Sequence, residues 1–310
     1  MQIKIFYDII YVENERIIFM KKFSIPGYFK YFNELKALIE TYKDNPEYFY
    51  EDRCIDSSYD FPGGLIWNGG RTQWNFGYNP YDVDNIMQYY FNETDINLNH
   101  TCTNLLIDYG LAQDWLCNNF LHLYYREQDS VIVASKALFD HLTQTYPNMK
   151  LIYSTTVGII DPIKVNEITA QGMIYVVNYK KNNNNEYLKK LSHPEQLEVI
   201  CAEPCNFNCT ERRKHYEAIS EEQLWICHFD DSNFQCPYGS EQRTFSEIQK
   251  LPHAITNERV DELYDMGIQY FKISGRTINT YQWIETMVYY LVLPEYRDHV
   301  RQLVLNNMMN

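Results

Sequence analysis

The sequence predicts an α/β fold, a (β/α) barrel of the TIM type that is irregular in its N-terminal third. Three observations carry this reading. From about residue 79 onward, short apolar runs alternate with helical stretches, the pattern of a parallel sheet. Runs such as Val131-Ile132-Val133-Ala134 are apolar without a break, as strands covered on both faces are. Five or six such units joined by short links fit a closed barrel better than an open sheet. The 310 residues show no internal repeat and no Pro/Gly/Ser-rich linker, so residues 1–310 read as one barrel domain.

Taken in order, residues 1–75 are the least regular part and are expected to supply the first strands, with insertions. Asn79-Pro80 opens a helix through about Tyr90, and Ile96 to Thr101 is a short strand. A helix is expected over Asn104 to Cys117. Phe120 to Tyr125 and Ser130 to Ala134 read as a pair of short strands. Ser135 then caps a helix from Lys136 to Tyr146, and Pro147-Asn148 marks a turn. Leu151 to Tyr153 and Met173 to Val177 are strands, separated by a less patterned stretch. Residues 180–186, with four consecutive asparagines, read as an exposed loop before a helical Glu186 to Leu191. Leu197 to Cys201 is a strand, Asn208 to Ile219 and Glu258 to Met266 are helices, and Ile268 to Ile273 is a strand. Helical segments at Ile278 to Leu291 and Glu295 to Leu305 close the chain.

Composition narrows the function classes. Hydrophobic residues make up 45% and charged residues 22%, so the chain can bury a core. The net charge of −14 gives no general attraction to nucleic acid or anionic lipid. The 28 Tyr and 16 Phe rise together with Asn, Ile and Lys, which reads as compositional bias before it reads as a stacking surface. Residues 1–7 show no signal-peptide pattern, and no apolar run approaches the ~20 residues of a membrane span. A soluble cytoplasmic protein is therefore expected. In that setting the eight cysteines suit metal binding or catalysis better than a disulfide framework.

In a barrel, function gathers at the C-terminal ends of the strands. The polar residues there are Asn99, Thr101, Ser135, Ser154, Thr155, Asn178, Cys201, Glu203, Ser274 and Arg276. Ser135 is readily explained as a helix cap; Arg276, a guanidinium beside Gly275, is the stronger candidate. The densest chemistry is Cys201-Ala-Glu-Pro-Cys205-Asn-Phe-Asn-Cys209, directly after a strand. Pro204 makes this a loop. With Asn208 and Glu211 as a capping pair, Cys209 would occupy the first helical position, where free N–H groups favour a thiolate. Cys227 and Cys236 follow, the latter in a Cys-Pro-Tyr-Gly turn. Cys205, Cys209 and Cys236 together suit a metal, an Fe–S cluster or a zinc ion, each of which accepts four thiolates; Cys201 is ambiguous, since it can also be the last strand residue facing the core. Arg212, His215 and Tyr216 share one face of the following helix and suit an anionic substrate. The plainer reading of that face is a solvated basic one, with Arg213 and Lys214 adjacent. Cys54, Cys102 and Cys117 read as buried, inert thiols.

Cys205-x-x-x-Cys209-x-x-Arg212-x-x-His215-Tyr216, together with Tyr270-Phe-Lys-Ile-Ser-Gly-Arg276, resembles the collagenase-like peptidase family U32 over about residues 95–290. The resemblance implies a barrel with a cysteine-bound 4Fe-4S cluster and an oxygen-independent hydroxylase-like chemistry on RNA bases or the ubiquinone ring, with prephenate implicated as oxygen source. It places Cys205, Cys209 and Cys236 as ligands, Cys201 as the fourth with Cys54 in reserve, and Arg276 facing the substrate. Ser274 stands where that family favours Glu. No His-Glu-x-x-His or Gly-x-Ser-x-Gly motif occurs, so a peptidase mechanism has no visible residues. Gly64 to Thr72 reads as a turn that brings Asn68 and Arg71 to the barrel mouth. The expected function is an Fe–S redox enzyme of the hydroxylase kind acting on a small molecule or RNA base, with a redox or protein partner. The alternatives are a zinc-stabilised barrel and a non-catalytic interaction protein.

Overall fold

Each strand of the sheet is short, and its alternate side chains serve two different layers. Ile132, Ile152, Val176 and Ile200 point inward with Tyr59, while Val131, Val133, Tyr175, Val199 and Phe271 point outward into the layer beneath the helices. In the computed structural model, which describes residues 20–69, 80–224, 236–239, 243–275 and 278–309, eight such strands close into a barrel in chain order. They are β1 (Lys21–Pro26), β2 (Arg53–Asp60), β3 (Asn97–Cys102), β4 (Ser130–Val133), β5 (Lys150–Tyr153), β6 (Ile174–Val176), β7 (Leu197–Cys201) and β8 (Tyr270–Ile273). All pairings are parallel, and β1 pairs with β8 to complete the ring. The expected TIM-like barrel is the observed fold, and residues 20–69 carry its first strand, helix and strand.

The helices start where side chains replace missing backbone partners. They are α1 (Phe32–Asp44), α2 (Pro80–Glu93), α3 (Trp115–Tyr124), α4 (Lys136–Thr145), α5 (Pro162–Thr169), α6 (Asn185–Leu188), α7 (Arg212–Leu224), α8 (Phe245–Ile248), α9 (Asn257–Asp265), α10 (Thr280–Leu291) and α11 (Arg297–Met309). Ser135 accepts the Leu138 N–H at the start of α4, as its position predicts. Asp161 does the same for α5 ahead of Pro162, and Thr244 with Glu247 forms a capping box on α8. Among the described residues, no helix is long and apolar enough to cross a membrane.

The lumen is apolar only in its middle. At the base, Asn99 donates to Ser57 Oγ at 2.9 Å and to Ser24 Oγ at 3.4 Å. Above them Glu198 and Lys272 form an ion pair at 3.7 Å, with the Lys272 ammonium 3.7 Å from the centre of the Tyr59 ring.

Several local expectations are corrected. Phe120 to Tyr125 is not a strand: Asp114 caps Cys117 N–H, and Cys117, Phe120, Leu121 and Tyr124 follow helical spacing on α3. Residues 104–110 form no helix, because Asp108 takes the N–H groups of Gly110 and Leu111 in a tight turn. The Asn-rich stretch is not an exposed loop throughout. Asn182 is fully buried and donates to Ile200 O at 2.7 Å, while Asn183 ties to Pro252 O and Ala254 O. Asn68 is buried as well, donating within its own loop to Phe61 O and Pro62 O, and is not on the cavity lining. Arg71 lies outside the described residues.

Candidate functional site

At the C-terminal end of β7 the chain turns through Ala202, whose φ is +57°, a region that side chains other than glycine rarely adopt. This turn brings Glu203 to the mouth of the barrel. Its Oε1 accepts the Cys205 N–H at 3.0 Å, its Oε2 pairs with Arg212 Nη2 at 3.2 Å, and its carbonyl accepts from His253 Nε2 at 3.0 Å. Arg212 is sandwiched besides, its guanidinium 4.5 Å from the Tyr179 ring centre and 5.0 Å from that of Tyr216. Burial works against its charge, but Glu203, then Tyr216 and Cys205, outweigh it and hold Arg212 protonated.

β3 and β7 lie opposite each other in the eight-stranded ring, and α7 reaches from one to the other. On the β3 side, Ser220 of α7 accepts the Leu105 N–H at 3.0 Å, and Ser220 O accepts from Asn104 Nδ2 at 3.1 Å. The helix thus roofs a cavity of about 90 Å³. Ile132, Val176 and Ile200 form an apolar floor with the Tyr59 ring, and Thr101, Thr103, Ser154, Thr155, Thr156 and Ser274 line the wall with hydroxyls. Arg212, Tyr216, Glu203 and Lys272 complete it. Among the described residues, the buried atoms Arg212 Nη1 and Thr103 Oγ1 on this lining have no hydrogen-bond partner.

Of the expected catalytic group, Arg212 and Tyr216 line the cavity. His215 does not; it stacks beside Tyr216 at 6.2 Å. Arg276 lies outside the described residues. Arg213 and Lys214 point to solvent, paired with Glu217 and Glu211. Of the polar residues at the strand ends, Thr101, Ser154, Thr155, Glu203 and Ser274 are at the mouth. Asn99 belongs to the base, and Ser135 and Asn178 are caps. Thr103 and Lys272 were not anticipated as site residues. The signal for Lys272 is its parity: Tyr270, Lys272 and Ser274 share the inner face of β8, where a cation is out of place in a plain core. Thr103 carries no such signal.

The cysteines do not gather as the spacing predicts. Cys205 and Cys209 pack together with Tyr179. Cys236 is half-buried. Cys201 is the last residue of β7 and faces outward into the layer beneath the helices. Burial pushes its thiol up, against the pull of Arg53. Cys54 lies near the start of β2, at the opposite end of the barrel, and Cys227 lies outside the described residues. Cys209 does not sit at a helix start. Asn206, not Asn208, shapes the turn, taking the Asn208 N–H on its side chain and the Cys209 N–H on its carbonyl, and α7 begins only at Arg212. Burial therefore raises the Cys209 thiol, where a helix N-terminus would have lowered it. Among the described residues, no group of three or more His, Cys, Asp or Glu side chains is arranged to hold a metal ion. Cys201, Cys205, Cys209 and Cys236 thus do not fit a four-thiolate cage.

No protein-family model matches the sequence, and no curated protein matches it. The fold is similar to the solved structure of the U32 peptidase Mk0906, at 15% identity and a TM-score of 0.54, over 85% of this chain and 96% of that one. At this identity the likeness establishes the barrel. It is to a protein carrying the name of the family that the two sequence motifs resemble.

Proposed function

We propose that the chain is a barrel enzyme that binds a small molecule bearing a carboxylate or similar oxyanion, with an apolar or aromatic body, at the mouth beneath α7. The observation that carries this is the pair of unpartnered polar atoms, Arg212 Nη1 and Thr103 Oγ1, on one cavity lining. A buried donor without a partner costs about 1–3 kcal/mol, and a bound oxyanion removes that cost. Arg212 and Lys272 are the cations of the described lining; Arg212 is paired with Glu203 on it, and Lys272 with Glu198 beneath it. The floor of Ile132, Val176, Ile200 and Tyr59 suits the apolar part of the ligand. Fixed cations in a water-poor cavity also stabilise negative charge that develops during a reaction.

The wider reading carried by the motifs is an Fe–S-dependent, hydroxylase-like enzyme on an aromatic or RNA-base substrate. It stays a proposal resting on those motifs alone. Since the described thiols do not form a four-thiolate cage, no step is derived through a cluster or through zinc. A peptidase is not proposed, because the described lining offers Ser and Thr hydroxyls but no histidine to activate them.

The test is binding by calorimetry of aromatic carboxylates against their amides. Acids are expected to bind and amides not. Arg212→Gln is expected to weaken binding about 10–100-fold, the worth of one charged hydrogen bond. Thr103→Val, close in shape, tests the second atom without removing a charge. Equal binding of acids and amides, or no loss in either variant, would sink the proposal.

A further inference from the structure

The inner layers of a barrel of this kind are commonly filled by bulky branched side chains. At the base of this one they are not. Ser57, Asn97, Asn99 and Ser130 stand on the inner faces of β2, β3 and β4, and their short side chains leave a cavity of about 420 Å³ at the N-terminal ends of the strands. Glu198 belongs to its lining. That residue is 3% exposed, and its Oε2 has no hydrogen-bond partner among the described residues. Lys272 Nζ pairs with the same oxygen at 3.7 Å, beyond hydrogen-bond distance, and belongs to the lining of the upper cavity. The lysines of the base are less buried than Glu198. Lys150 is exposed, and Lys22 is half-buried, 5.5 Å from the centre of the Tyr270 ring. Asp56 and Asp95 line the cavity too, so carboxylates outnumber ammonium groups on its described lining. The cavity shares Lys150, Ile152 and Ile174 with a groove of about 490 Å³, which runs past Phe139, Met149 and Met173.

From this arrangement we infer that the base of the barrel is a second binding site, which takes a small organic ammonium compound with an apolar arm. The charged head sits on Glu198, and the arm follows Ile152 and Ile174 into the groove. A buried carboxylate oxygen without a donor is unfavourable, and an ammonium N–H supplies that donor. A cation seated there favours the ionised carboxyl, as Lys272 does from the other side. The balance of charge on the lining and the net charge of −14 both draw cations. An oxyanion at the same place would meet Glu198 as a like charge. The apolar side chains of the groove call for a body on the cation, which an inorganic ion lacks, and no group of three or more His, Cys, Asp or Glu among the described residues is arranged to hold a metal ion. The inference goes beyond the proposed oxyanion site at the mouth and does not depend on it.

The experiment is calorimetric titration of the full chain at neutral pH with 2-phenylethylamine and with 2-phenylethanol, its uncharged counterpart. The amine is expected to bind, and the alcohol to bind at least about tenfold more weakly, the worth of one charged hydrogen bond. Two variants locate the site. Glu198→Gln is expected to weaken amine binding at least about tenfold. Lys150→Glu, at an exposed position on the shared lining, replaces a repelling charge with an attracting one and is expected to tighten it about three- to tenfold. Circular dichroism checks the fold of Glu198→Gln, which leaves Lys272 without this carboxylate; if that variant does not fold, Lys150→Glu decides alone. No binding of the amine, equal binding of amine and alcohol, or an amine affinity that Lys150→Glu does not raise would each overturn the inference. So would a folded Glu198→Gln that binds the amine as tightly as the unaltered chain.

Discussion

Ala202 is the non-glycine residue with a positive φ among those described, and it precedes Glu203, whose two oxygens and carbonyl hold Cys205, Arg212 and His253. Strain of this kind, roughly 1–3 kcal/mol, persists where the surroundings fix the backbone. Here they do so at the mouth. A second buried group makes a prediction at the same scale. His100 lies in the layer beneath the helices, its Nδ1 2.8 Å from Tyr28 Oη and its Nε2 without a hydrogen-bond partner among the described residues. Burial pushes it from the ordinary 6.5 down to about 4. Above pH 6.5 the folded and unfolded chains are both neutral there, and His100 adds no pH dependence. Below it the unfolded chain takes up a proton that the folded one refuses, so stability falls until about pH 4. Between pH 7 and 4.5, His100 is expected to account for about 2–3 kcal/mol of lost stability. Urea unfolding at both pH values should show a smaller fall in His100→Phe. Equal falls would mean that His100 is charged in the fold. Residue roles were legible in part. Arg212 and Tyr216 follow from helical spacing, whereas the position of Cys209 depends on whether Asn206 or Asn208 shapes the turn, and both sequences look alike.

α7 is the element on which the mouth depends, and its far end is held by the β3–α3 loop. That loop is in turn pressed against residues 67–69, where Asn104 N–H donates to Trp67 O at 3.1 Å. A Cβ at Gly69 would fall 2.2 Å from the Thr103 carbonyl carbon and 2.3 Å from the Asn104 nitrogen. Neither atom is the end of a flexible side chain, so the backbone must shift. Gly69→Ala is expected to cost about 1–3 kcal/mol in urea unfolding, as overpacking does. It should also weaken carboxylate binding, since Thr103 and the seat of α7 move together. Unchanged stability and binding would show that the loop is not the support described. At this scale the sequence was informative where a helix had a cap, as in α4, and where a strand was a short run buried on both faces, as in β4 and β7. It misled at α3, where Phe120-Leu-His-Leu-Tyr-Tyr125 looks like a strand until Asp114 is recognised as the cap. It was silent on α7 as a roof, because that role comes from Asn104 meeting Ser220 across 116 residues.

For the whole molecule, the closed ring brings β7 and β8 side by side, and so places Glu198 against Lys272 within the lumen. Alternation of strand and helix along the chain was enough to predict a barrel. It was not enough to predict a charged layer in its interior, since the pair forms only when strands 72 residues apart take one register, Ile200 beside Lys272. Lys272 lines the upper cavity and Glu198 the polar cavity at the base, so the pair separates the two ends of the barrel. Glu198 is buried, and burial raises its carboxyl while Lys272 opposes the shift. Two charges withdrawn from water in this way gain little net stability together, yet removing one leaves the other uncompensated at a cost of about 3–5 kcal/mol. Lys272→Met and Glu198→Leu alone are therefore each expected to destabilise the barrel by that amount. The double variant should be more stable than either single one. Urea unfolding of the four proteins measures the coupling as a double-mutant cycle. Additive losses would mean that each residue is held by separate partners and that the pair does not act as a unit. A recovery in the double variant would show that the lumen tolerates an apolar plug. The charges would then owe their place to the ligand at the mouth, where Lys272 is one of two cations, rather than to folding.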